Sequence, residues 1–223
     1  MNDEAQKKFM SERRLYFPTY NQTFPLWIRN EIICEEFLRL FATNGKSVTL
    51  LAKPKSEDIV NVEKGIRGVR FDTVAKTGTS EDAQDFHIYC IDSQREFERE
   101  SYVDRELYYA CVAMATKSLK TNEDFSMLRP VTVIFIYIDN SASTNPIDLV
   151  NLYRRRDIEI HSVAVQPYTA KFNFININLN NKANWEAGQL SADVRAFMDI
   201  MSIGDDEYLV TDSRGSRFIK LYL

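Results

Sequence analysis

The chain has 223 residues, 44% of them hydrophobic and 27% charged, with only 7 glycines and 6 prolines. That is long enough to bury one full core and too ordinary in composition for a disordered or fibrous protein. A formal net charge of −4 argues against a protein whose main work is coating nucleic acid electrostatically, while leaving room for a local basic track.

Residues 1–22 are polar and read as a loose lead-in, and the acidic opening Met1-Asn2-Asp3-Glu4 gives the expectation of no secretory signal. Ile28 to Phe41 has the spacing of an amphipathic helix with Ile32, Ile33, Phe37, Leu40 and Phe41 as its buried stripe. Asn44-Gly45 is its stop signal. Ser47 to Ala52, Val69 to Ala75 and Phe86 to Asp92 are strand candidates. The last two, joined through the polar turn Thr77 to Asp82, read as a β-hairpin with a long connection.

Tyr102 to Leu119 is the strongest helix, with Val103, Leu107, Ala110, Cys111, Met114 and Ala115 along one face. After Pro130, Val131 to Ile138 is β-branched and apolar on both faces, the pattern of a central buried strand. Asp139 to Pro146 reads as a loop and Ile147 to Tyr153 as a short helix, with Arg154-Arg155-Arg156 either a solvated helix end or part of a basic track with Arg95, Arg99 and Arg105. Ile158 to Val165 and Phe172 to Leu179 look like strands. In the second, Phe172, Phe174, Ile175 and Ile177 alternate, with one slip, against Asn173, Asn176 and Asn178. Asn180-Asn181 is a turn, and Ser191 caps a last helix to about Met201, with Leu190 as a hydrophobic staple. Residues 205–223 form a tail ending in the apolar run Phe218 to Leu223. With no repeat and no linker, residues 1–223 read as a single α/β domain.

No uninterrupted apolar run approaches the roughly 20 residues that cross a bilayer. Cys34, Cys90 and Cys111 fit neither a closed disulfide framework nor a zinc spacing. They read as inert buried thiols in a reducing, cytoplasmic compartment. His87 and His161 have no partner spacing for zinc or for a catalytic triad and read as ordinary strand histidines.

The chemistry concentrates on two acids. Alternation places Arg70, Asp72 and Val74 on one face of their strand, and Ile88, Cys90, Asp92 and Gln94 on one face of the next. If those strands pair, Asp72 and Asp92 converge at one end. Two carboxylates so placed repel unless they share a cation. Mg²⁺ suits them, because it takes one or two protein carboxylates and completes its shell with water and phosphate oxygens. Acids at strand ends beside a polar turn are also common as plain solvated groups, so spacing alone leaves both readings open.

The flanks add a family likeness. Asn30 to Leu38 is similar to a family's first helix, and Lys64-Gly65-Ile66-Arg67-Gly68-Val69-Arg70-Phe71-Asp72 to its KG(I/V)RLDV strand. Ile91-Asp92-Ser93-Gln94 stands where that family shows IEMQ, Arg105-Glu106-Leu107-Tyr108-Tyr109 where it shows RxxYY, and Asn122 to Pro130 where it shows GEDYxxLKP. In this order the segments resemble the PD-(D/E)XK nuclease superfamily, specifically its transposase-associated, recombination-promoting branch. The resemblance covers most of the chain and implies a restriction-endonuclease-like core, a mixed central β-sheet of roughly four strands flanked by helices. It also implies a Mg²⁺-type ion (Mn²⁺ or Ca²⁺ as substitutes) and DNA cleavage. Carried over by position, Asp72 and Asp92 would be the metal ligands. Gln94 would replace the Lys or Gln partner, and Glu36 would be the helix acid, with Glu31 and Glu35 as alternatives. Arg70, Arg95 and Arg105 would meet DNA.

The chain departs from the pattern in two ways. Asp92 is one methylene shorter than the family's Glu, and the interval from Asp72 is longer than usual. A second register would put Tyr89 and Ile91 where the acid and the amide belong, which would abolish the site. Three functions therefore stand at this level. One is a metal-dependent DNA endonuclease. Another is a nuclease-fold module with a decayed site that binds DNA or protein. The last is a structural fragment that dimerises through its apolar tail.

Overall fold

The computed structural model describes residues 24–59, 68–94, 102–137, 147–151, 153–155, 165–167, 171–178, 191–194 and 197. The lead-in, the Asp139 to Pro146 loop, most of the strand expected from Ile158, the Asn180-Asn181 turn, Leu190 and the apolar tail lie outside them, as do Arg95, Arg99, Arg156 and His161.

The first helical stretch is two pieces, α1 (Phe24–Ile28) and α2 (Glu31–Phe41). The break comes from Asn30, whose backbone is extended and whose Oδ1 accepts the N–H groups of Ile32 (3.1 Å) and Ile33 (3.3 Å). This cap satisfies donors that the helix leaves unpaired, and it also sets the helix's phase. Ile33, Cys34, Phe37, Leu38 and Phe41 turn inward, whereas Ile32, expected in the buried stripe, is 59% exposed. Asn44 and Gly45 both take left-handed backbone, φ 51° and 83°, and end the helix as their sequence suggests.

Further along the chain come β1 (Lys55–Ile59), β2 (Val69–Thr77), β3 (His87–Gln94), α3 (Tyr102–Lys117) and β4 (Val131–Tyr137). These are followed by β5 (Ile147–Asn151), β6 (Tyr153–Arg155), β7 (Val165–Pro167) and β8 (Phe172–Asn178). A six-stranded sheet runs β1-β2-β3-β4-β8-β5, and β6 pairs with β7 separately. β1, β2 and β3 form an antiparallel meander, β3, β4 and β8 are parallel, and β5 is antiparallel on the far edge. The α/β class and the mixed sheet with helices are therefore as expected.

Each face carries its own core. Ala75, Tyr89, Ile91, Ile134, Ile136, Ile175 and Ile177 pack with α1 and α2. Ile88, Cys90, Val131, Val133, Phe135, Phe172 and Phe174 pack with Ala110 and Ala113 of α3. Every residue of β4 is buried, which is why its sequence is apolar at all but Thr132, whose hydroxyl bonds His87. The alternation read in β8 has the same cause. Phe172 and Phe174 face α3 and Ile175 and Ile177 face α2, so the apparent slip is a strand covered on both sides.

Four expectations are corrected. Ser47 to Ala52 is no strand, and only Leu50 bridges to Thr77. The true edge strand is the polar β1, which an edge position tolerates. Ile147 to Tyr153 forms strand rather than helix, because β5 pairs along β8 and that pairing overrides local propensity. Arg154 and Arg155 consequently stand in β6, not at a helix end. α3 buries Glu106, Ala110 and Ala113, while Leu107, Cys111 and Ala115 are exposed, so Cys111 is not a core thiol. Cys34 and Cys90 are buried, and burial pushes the Cys34 thiol up to about 12. At Ser191 the cap is as expected, its Oγ accepting the Val194 N–H at 3.2 Å.

Candidate functional site

The hairpin brings Asp72 and Asp92 together, by a route that simple alternation does not describe. Glu57 pairs with Phe71 and Lys55 with Val74, so two steps on β1 face three on β2. The extra residue is a β-bulge. Phe71 and Val74 therefore both enter the α3-side core, and Val74 does not share a face with the exposed Arg70. Asp72 lies within the bulge. Its Oδ2 accepts the Ser93 N–H at 3.0 Å and the Ser93 hydroxyl at 2.7 Å. Cα pairing between β2 and β3 ends at Thr73 with Ile91. Beyond that point the carboxylate takes the place of the next backbone acceptor.

Asp92 follows Ile88 and Cys90 onto the α3 face, as alternation requires, and is 5% exposed. Gln94 donates from Nε2 to Asp92 Oδ2, and the Asp72 backbone N–H also bonds the Asp92 carboxyl. Burial, then the neighbouring Asp72 charge, push the Asp92 carboxyl up to about 8, against the opposing pull of Arg105, Gln94 and that backbone N–H. Ionised carboxylates are expensive to bury without a compensating charge, so these surroundings favour the protonated form of Asp92. Tyr89 and Ile91 belong to the opposite core, beneath α2. Asp92, and not Tyr89, is the residue that lies beside Asp72.

The other residues divide. Arg105, exposed in the first turn of α3, lies with its guanidinium 5.3 Å from the Tyr109 ring centroid. Tyr109 in turn packs edge-on against Phe71 at 5.4 Å, beside Asp72. Glu36 is buried and held by Arg39 through Nε (2.9 Å) and Nη2 (2.6 Å), with Asp193 as a further partner of Arg39 at 3.2 Å. It rides on α2, which covers the face opposite Asp92, so the helix acid is not brought to the pair. Nor are its alternatives: Glu35 accepts the Leu50 N–H at 3.1 Å, and Glu31 is exposed in the first turn of α2. Among the described residues, no group of three or more His, Cys, Asp or Glu could hold a metal ion. His87 bonds Thr132 at 2.7 Å and stacks on Tyr89, and burial lowers it to about 4, as an ordinary core histidine.

Sequence reasoning missed the polar residues that surround the pair. Ser93 lay inside the quoted motif without a role. Glu106, Tyr137 and Asn176 are buried at the same end of the sheet; Glu106 reads as a surface glutamate, Asn176 as one of the polar positions of β8, and Tyr137 as part of an apolar strand. A cavity of about 350 Å³ lies at the other end, before β3, β4 and β8, lined by residues that include Phe86, Arg129, Pro130 and Lys171. It is remote from the acids.

The oxygen donors fit a hard cation. Asp72, Asp92 and the Gln94 amide offer only oxygen ligands to a metal, and a divalent ion would offset both the burial and the like-charge repulsion that raise the Asp92 carboxyl. No family model, no curated protein and no solved structure matches the chain.

Proposed function

We propose that the chain is a metal-dependent, endonuclease-like protein of the transposase-associated PD-(D/E)XK type, acting on DNA. One observation carries this reading. Asp72 and Asp92 meet on neighbouring strands of a mixed sheet, with Asp92 so buried and so close to a like charge that its carboxyl is raised well above the usual range. Burying one acid beside another costs stability when both are ionised, and strongly perturbed groups of this kind concentrate at functional sites. The mixed sheet with helices on both faces supports the restriction-endonuclease-like fold that the sequence motifs imply.

On this reading Asp72, Asp92 and Gln94 would hold Mg²⁺ or Mn²⁺, which supplies Lewis acidity toward a phosphodiester and a more acidic water. The chain's own residues do the rest. Ser93 orients Asp72 through two hydrogen bonds. Asp92 must release its proton to act as a ligand. Arg105 offers a cation at the rim for a phosphate oxygen.

A second reading, a non-cleaving module that binds DNA or protein, is favoured by one feature. Both carboxylates already accept protein donors, and Glu36 does not join them. Supercoiled plasmid incubated with Mg²⁺ or Mn²⁺ separates the two. The nuclease reading expects nicked or linear product from wild type and none from Asp72→Asn. Equal behaviour of the two proteins would sink it, and the absence of product from both would favour the module.

A further inference from the structure

Glu106 sits between Arg105 and Leu107 in α3 and is 6% exposed. A carboxylate so deep needs donors. The Tyr137 hydroxyl and the Asn176 Nδ2 both donate to its Oε1, the latter at 3.0 Å. Asn176 Oδ1 has no hydrogen-bond partner among the described residues, which leaves the bond to Glu106 as the one that fixes this amide's orientation.

The two donors come from different strands, both at the carboxyl ends of the parallel set. Tyr137 closes β4 and pairs in register with Gln94. Asn176 pairs with Phe135, which pairs with Asp92. Glu106 therefore ties the first turn of α3 to the rows of the sheet that hold Asp92 and Gln94. Directional bonds to two strands fix both the height and the rotation of a helix turn, which apolar contact alone leaves free to slide. On the other side of the same turn, Arg105 lies over Tyr109, with Nη2 3.4 Å from its hydroxyl, and Tyr109 packs on Phe71.

We propose that Glu106 is a positioning residue, which anchors the first turn of α3 through Tyr137 and Asn176 and so seats Arg105 at the mouth of the Asp72–Asp92 pair. The part given to Arg105, meeting a phosphate of the substrate, rests on the nuclease reading. The anchoring does not.

The test compares Glu106→Ala, Glu106→Gln, Arg105→Ala and the Glu106→Ala/Arg105→Ala double variant. Two readouts are taken on the full chain: amide hydrogen exchange by residue, and affinity for a short DNA duplex with Ca²⁺. Glu106→Ala is expected to speed exchange in the first two turns of α3 by about tenfold or more, with little change in β2 and β3. It should weaken duplex binding as much as Arg105→Ala, and the double variant should be no weaker than either. Glu106→Gln keeps an acceptor oxygen for both donors and should restore both readouts. Unchanged exchange in Glu106→Ala, or losses in binding that add in the double variant, overturns the proposal. If Arg105→Ala binds duplex as wild type does, the phosphate role and its nuclease basis fall, while the exchange data still decide the anchoring. Should Glu106→Ala fail to fold, Tyr137→Phe removes one donor and must show the same local acceleration.

Discussion

At the scale of single residues, Asp92 is the group whose state decides most. Its carboxyl is held near 8, above the ordinary carboxylate range, by burial and by Asp72. The native state therefore binds that proton more tightly than the unfolded chain does. Its contribution to stability is present at low pH and is lost as pH rises from the unfolded value, about 4, to the folded one. Asp92→Asn keeps the shape and removes the titration. The variant is expected to show a flatter stability–pH profile, and to exceed wild type at about pH 8 by more than about 1 kcal/mol in urea denaturation. A variant that tracks wild type at every pH would show that Asp92 ionises freely. Asp92 and Gln94 were legible as a pair because alternation on a strand is unambiguous. Glu106 was not, since a buried glutamate amid helix-forming residues looks like any surface glutamate until its partners on β4 and β8 are in place.

At the scale of elements, what the sequence disclosed depended on whether local pattern and tertiary environment agreed. β4 was legible because both its faces are covered and nearly every position is apolar. The hairpin was legible from its polar turn, where Gly78 takes φ +121° and a Cβ would stand 2.9 Å from Phe86 Cα. β1 and β5 were not, because edge strands draw their stability from one neighbour and their composition says little. The phase of α2 was misread by one residue at Ile32 because the deciding group is the Asn30 cap. Asn30→Ala is therefore expected to cost about 1 kcal/mol of stability, by chemical denaturation. Asn30→Asp, which keeps the acceptor, should cost much less. Equal losses for the two would mean that the cap does not set the helix.

At the scale of the whole molecule, the parallel strands β3, β4 and β8 direct their carboxyl ends to one edge. The acids, Gln94, Tyr137 and Asn176 all gather there, where open α/β sheets commonly bind ligands. The opposite edge is stitched by charge. Arg129 bridges Glu123 at 2.5 and 2.7 Å and reaches the Glu81 carbonyl at 3.2 Å, joining the turn before β3 to the loop before β4. The Glu123 carboxyl is held down to about 2, mainly by that Arg129 bond. One end is thus fastened by ion pairs, and the other gathers the acids and the buried polar side chains. A ligand that binds only the native state raises its stability. Mn²⁺ is accordingly expected to raise the melting temperature of wild type and to leave Asp72→Asn unmoved. An equal rise in both would locate the ion elsewhere.

The bulge in β2 has a consequence for how the site and the scaffold depend on each other. Asp72 Oδ2 serves as the last rung of the β2–β3 ladder by accepting from the Ser93 N–H and hydroxyl. The contact that closes the open end of the hairpin is therefore the same contact that fixes where this carboxylate points. Strand pairing and the orientation of the acid share one pair of hydrogen bonds, so neither can be altered at Ser93 without the other.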